Sequence, residues 1–242
     1  GWGCYGGPGL RGRGPKGKPG RVQRDVAFSG QDDLVAGWVP GQAPVVFPQG
    51  SGVYMNPGDA LVLQLHYHWV GEPVPDQSGL ALQLDPVSSK TKVLRVINPI
   101  APVEIPCAPE DRDEPLCDRD AAIADDVRLY GPSGAGNEAG LLALCGLTPE
   151  ELTRDFDGRH AKTVCDLKVP ESGTIVGVLG HEHTLGSSFR FTLHPESSKP
   201  TVLLDIPHWS FDWQMNYELA KPIHVEAGDT IRMACTWDRA LD

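Results

Sequence analysis

This sequence predicts a mainly β fold, built as two antiparallel β-sandwich modules with a short helical insertion in the second. Three observations carry that expectation. Short apolar runs of alternating or β-branched character recur along most of the chain, separated by turn residues. The 242 residues include 28 glycines and 22 prolines, which supply many turns and leave little room for long helices. Helix start and stop signals are confined to the stretch between Cys117 and Cys145 and the few residues after it.

The first 30 residues are rich in glycine and proline and read as irregular, with the basic stretch Arg11 to Lys18 as a solvated loop. Leu34 to Val39 and Val45 to Phe47 read as short strands. Asn56-Pro57-Gly58-Asp59 is a turn, and Ala60 to Tyr67 after it alternates apolar and polar as a half-buried strand does. Leu80 to Leu84 and Lys92 to Ile97 continue the pattern. Pro99 to Pro109 reads as a linker between modules, giving 1–99 as the C-terminal part of a first domain and 100–242 as a second.

The helical insertion is expected over about 117–155. Asp118 has the side chain to cap a helix carrying Ala121, Ala122, Ile123, Val127 and Leu129. A second helix fits Asn137 to Leu144 and stops at Gly146. Thr148-Pro149-Glu150-Glu151 starts a third, with proline at the first helical position. Strands resume at Lys162. Thr174 to Leu179 reads as a buried strand, and Phe189 to Leu193 as the next one.

Formal net charge is −11, which argues against nucleic acid or an anionic membrane surface as the main partner. No apolar run reaches the roughly 18 residues of a membrane span. The six cysteines are widely spaced and form no CxxC pair, which fits disulfides and hence a secreted or periplasmic protein, with the connectivity left open. The chain begins without methionine and stops straight after a strand, so both ends read as cut ends.

The most informative motif is His181-Glu182-His183 inside Gly180 to Gly186. Residues two apart on an extended chain point to one face, so both imidazoles project together and Glu182 points away. A pair of neutral imidazoles suits copper, zinc or non-haem iron, although a histidine on a strand is more often an ordinary core or surface residue. Gly186 is expected to permit a sharp exit toward the next strand. A second cluster, His66-Tyr67-His68, allows chelation by both histidines, by His66 alone, or a purely structural role. The aromatic run Asp205 to Tyr217 is either a wall of a cleft or core packing, the latter favoured for Phe211 and Trp213. His208 and His224 are isolated and read as surface residues. Nucleophile-elbow, phosphate-loop and dinucleotide fingerprints are all missing from the sequence.

Taken in order, these segments resemble the copper type II, ascorbate-dependent monooxygenases, the group that includes dopamine β-monooxygenase and peptidylglycine α-hydroxylating monooxygenase. Leu63-Gln64-Leu65-His66-Tyr67 is similar to the family's LQVHY strand, Ser78-Gly79 to the turn after it, and His181 to Gly186 to its HTHxLG motif. Gly228-Asp229 with Cys235 resembles its late GD…C strand, and Asp205 to Tyr217 the version in bacterial members. The resemblance implies two jelly-roll-like domains, each holding one copper, with ascorbate as reductant. It implies His66 as a ligand of the electron-transfer copper, and His181 and His183 as catalytic ligands of the oxygen-activating copper. It further implies O2 and a small organic substrate as partners, with one oxygen atom inserted into a C–H bond.

The departures from the family pattern are specific. Its adjacent His-His pair belongs upstream of Trp2, and its methionine ligand belongs in a Glu-Met-Cys-like segment after Cys235, where the resemblance also places a cysteine partner for Cys235. Met55, Met215 and Met233 do not stand in that context. The chain is therefore read as an internal, inactive fragment. Leu179 stands where the peptide-amidating enzyme has the arginine that grips a substrate carboxylate, so peptides ending in glycine are not the expected substrate. His68 is a spare ligand candidate. Two rivals remain: a non-catalytic copper-binding or structural β-sandwich module, and a zinc hydrolase built on His181 and His183, for which no carboxylate ligand stands out.

Overall fold

The computed structural model describes residues 35–241, apart from positions 40, 62, 64, 66–70, 73–74, 87 and 89. The described residues divide into two compact units, one containing 96–241 together with 35–45, the other within 46–95. The described architecture is mainly β and antiparallel, consistent with a β-sandwich.

Among the described residues of 46–95 the ladder is limited to β1 (Ser51–Gly52) and β2 (Lys92–Val93), a two-residue parallel pair. The runs expected as strands at 35–39, 45–47, 80–84 and 94–97 carry no ladder among the described residues. Leu61, Leu63 and Leu65 are exposed, and the rest of that expected strand lies partly outside the described residues, as do residues 1–34. Alternation marks a chain fit to be a strand, but only a neighbouring edge that takes its N–H and C=O groups makes it one.

The other unit is where the sequence pattern becomes structure. β3 (His160–Lys168), β8 (Thr230–Asp238), β5 (Gly186–Leu193) and β6 (Thr201–Ile206) form a four-stranded antiparallel sheet in that order. Along β3 burial alternates strictly, with Ala161, Thr163, Cys165 and Leu167 facing inward. Opposite them stand Met233, Cys235 and Trp237 of β8 and Phe189, Phe191 and Leu193 of β5. A second ladder pairs β4 (Gly173–Leu179) with β7 (Asn216–Val225), with a register shift between Ile175 and Gly177. Ile175, Val178, Tyr217, Ile223 and Val225 pack this pair against the same core. β4, expected to be fully buried, is half-buried because only its inward residues meet that core.

Pro99 to Pro109 is not a free linker. Ala101 is 0% exposed and Val103 is buried with it, and the Pro102 carbonyl accepts from Thr163 Oγ1 at 2.8 Å. Apolar side chains in that stretch complete the core, which a proline-rich composition does not reveal.

The helices are α1 (Arg119–Tyr130), α2 (Ser133–Cys145) and α3 (Pro149–Thr153). Asp118 caps α1 by accepting from the Ala121 N–H, and Gly146 ends α2 in the left-handed region at φ 64°. Thr148 and Glu151 exchange the reciprocal bonds of a capping box at α3. α2 starts earlier than its sequence suggests. Arg119 joins α1 to Glu104 and to Glu138 on α2. Disulfides link Cys107 to Cys117 and Cys145 to Cys165, the second tying the end of α2 to β3. Among the described residues no helix is long and apolar enough to cross a membrane.

Candidate metal centre

β4 ends at Leu179, and the chain leaves the ladder through Gly180 into His181-Glu182-His183 before turning into β5. The turn is closed by Gly186 N–H donating to the His183 carbonyl at 3.0 Å. Its left-handed residue is Leu185, at φ 76°, and not Gly186. Glycine is needed at 186 for another reason: an added Cβ would meet the Glu182 side chain and Trp209 Cε3, the latter at 2.8 Å. Gly180 is equally confined, because its Cβ would stand 2.6 Å from Phe189 Cδ1. The motif is thus seated directly on the core, with no side chain between.

His181 and His183 project to one side, their rings edge-to-face with centroids 5.1 Å apart. Both are half-buried. Glu182 points the other way and is 0% exposed, and neither carboxyl oxygen has a partner at hydrogen-bonding geometry. Burial pushes its carboxyl up to about 8, and the nearby Cys235 thiol and Ser187 amide offset this only in part. Glu182 therefore enters the core as a neutral acid, away from the imidazoles.

The aromatic run wraps this turn. Trp209 is buried, its Nε1–H donating to the Gly180 carbonyl at 3.0 Å, while its backbone N–H donates to the Ser187 carbonyl at 2.9 Å. Phe211 packs edge-to-face on Trp209 at 6.4 Å. Trp213, expected in the core, is 60% exposed. Trp209 fills the core position instead, and the turn closed by Trp213 N–H on the Ser210 carbonyl sends Trp213 outward. His208 and His224 are exposed, as their isolation in sequence suggests.

One residue at the centre was missed by sequence reasoning. Gln214 Oε1 meets His181 Nδ1, and Gln214 Nε2 donates to the Phe211 carbonyl at 2.8 Å. Only its neighbourhood in an unusual aromatic run pointed to it. Leu179, two residues before His181, is 39% exposed and presents no polar group. His66 and His68 lie outside the described residues.

The two imidazoles are close enough to share one ion whose bonds to ring nitrogen run about 2 Å. Imidazole supports both oxidation states of copper. Among the described residues no group of three or more His, Cys, Asp and Glu side chains is gathered closely enough to hold a metal.

Comparison with known proteins adds one finding. The model of the copper type II ascorbate-dependent monooxygenase, C-terminal domain, matches residues 138–241, a span that contains both histidines, the turn and the aromatic run. Neither a curated protein nor a solved structure matches the chain. The fold, the paired imidazoles and this match agree: residues 138–241 are similar to the C-terminal domain of the copper type II ascorbate-dependent monooxygenases.

Proposed function

We propose that His181 and His183 are two ligands of a copper ion in a monooxygenase that hydroxylates a C–H bond of a small organic substrate. The observation that carries this reading is the pair of co-facing imidazoles on a turn seated against the core, inside the family-matched segment. Copper bound there supplies the redox chemistry that activates O2 with electrons from ascorbate. The chain's own residues hold the ligands rigid: Gly180 and Gly186 let the turn lie flat on Phe189, Glu182 and Trp209, and Trp209 clamps the Gly180 carbonyl.

Leu179 offers an apolar, exposed side chain beside the pair. It cannot make the bidentate contact a substrate carboxylate needs, so the reading excludes peptides with a C-terminal glycine. His66 is proposed as a ligand of a second, electron-transfer copper. The two disulfides support an exported, oxidising location.

The test is copper(I) titration of the full chain against a chromophoric competitor, for the native protein, His181→Ala and His183→Ala. Each variant should lose one tight copper equivalent while keeping native circular dichroism. Unchanged copper binding in both would overturn the assignment. Zinc preferred over copper in the same titration would favour the hydrolase reading. In the intact protein, ascorbate-dependent O2 uptake separates the enzyme from a non-catalytic copper-binding module.

A further inference from the structure

Gln214 is 8% exposed, and both ends of its amide are engaged. Nε2 donates to the Phe211 carbonyl at 2.8 Å. A carbonyl can only accept, so the NH2 end must face Phe211, and the oxygen end is left facing His181 Nδ1. An acceptor at Nδ1 requires the proton to be on that nitrogen. In a neutral imidazole the lone pair is then on Nε2.

The loop that carries Gln214 is anchored to the motif at one further point, where Trp209 Nε1–H donates to the Gly180 carbonyl, and within the loop Phe211 packs on the Trp209 ring. The contacts close a circuit from Gly180 through His181, Gln214, Phe211 and Trp209 back to Gly180. A side chain held this way has little freedom to turn, which is what orients a ligand rather than merely touching it.

We infer that Gln214 is a positioning residue: it locks His181 in the Nδ1–H tautomer and presents Nε2 as the atom that ligates the metal. The inference rests on the copper reading of His181 for its purpose, although the tautomer itself does not depend on it. Metal-binding histidines generally have the second ring nitrogen held by an oxygen acceptor, and loss of that partner weakens metal binding by about 10–100-fold. Here a side-chain amide takes that place.

The experiment uses the full chain, metal-free, with 15N-labelled histidine, at pH 8, and reads each ring's tautomer from two-bond proton–nitrogen correlations. Native His181 should be Nδ1–H. Gln214→Met keeps length without an acceptor, and His181 should move toward Nε2–H, with copper(I) affinity down about 10–100-fold. Gln214→Glu still accepts from Nδ1–H, so it should restore both the tautomer and most of the affinity. The His194 and His224 signals, remote from this loop, report whether each variant remains folded.

A native His181 in the Nε2–H form overturns the inference without recourse to any variant, as does an unchanged tautomer in folded Gln214→Met. If Gln214→Met does not fold, Gln214→Glu decides: loss of the Nδ1–H form there also overturns it. Failure of the native chain to bind copper through His181 and His183, with the tautomer as expected, would refute the copper reading and leave the positioning role of Gln214 standing.

Discussion

Gly180→Ala tests most directly whether the histidine turn is seated on the core. The added Cβ would stand 2.6 Å from Cδ1, 2.8 Å from Cγ and 3.1 Å from Cε1 of Phe189. Ordinary carbon contacts begin near 3.5 Å, so the ring must retreat by roughly 1 Å. It has nowhere to go, being 2% exposed and packed edge-to-face on Phe191 at 4.7 Å. Overpacking of this kind costs about 1–3 kcal/mol, and an enclosed ring belongs at the upper end. Replacing glycine also restricts the unfolded chain, which returns about 0.4–1 kcal/mol. Gly173→Ala, at the start of β4 with nothing within 4 Å of its Cβ, isolates that second effect.

Gly180→Ala should therefore be about 2 kcal/mol less stable than the native chain, and Gly173→Ala equal or slightly more stable. Urea unfolding followed by tryptophan fluorescence, with a shared slope, measures both. Thermal midpoints should separate by about 5–10 °C. If the two variants agree within about 0.5 kcal/mol, Phe189 yields freely and the seating argument fails.

Three further predictions concern groups away from the ligating atoms. Glu182→Met should stabilise the protein by about 1–3 kcal/mol at pH 7, because it replaces an unsatisfied buried carboxyl with an apolar chain of similar length; a loss of stability in the same urea assay would mean the carboxyl is well bonded. Glu138 is raised to about 7, first by burial and then by Glu104 beside it, against the pull of Arg119. The folded state thus binds the extra proton between about 4.5 and 7, and this contribution is full below that window and falls as pH rises through it. Asp157, Asp166 and Asp238 are lowered and act in the opposite direction, so the readout is the native chain minus Glu138→Gln: that difference should decline by about 1–3 kcal/mol from pH 4.5 to pH 7.5, and a flat difference would refute it. The double variant Cys145→Ala, Cys165→Ala opens a link spanning 20 residues and should cost about 3 kcal/mol, with the α2 amides losing hydrogen-exchange protection first; unchanged protection there would show that helix packing, not the link, holds α2.

The parts legible in the sequence are those with local causes. The return to strand expected at Lys162 falls within β3, Asp118 and Gly146 marked helix ends, and Thr148-Pro149 marked a helix start, because each is decided within a few residues. The His181/His183 pair was readable because a spacing of two on an extended chain fixes the common face. By contrast, the apolar runs of 35–97 carry strand-like patterns without ladders among the described residues, since pairing depends on a distant edge that no local pattern contains.

By itself, then, the sequence determined the fold class, the helical stretch and the imidazole pair. Tertiary structure decided which cysteines join, that Pro99 to Pro109 helps fill the core, and that Leu185 rather than Gly186 takes the left-handed turn. It also decided that Gly186 is a glycine for lack of room and that Glu182 is buried unpaired. Above all it brought Gln214 to His181 across 33 residues. Such contacts arise from how two loops pack over one core, and the proton on a histidine ring follows from the acceptor that packing delivers.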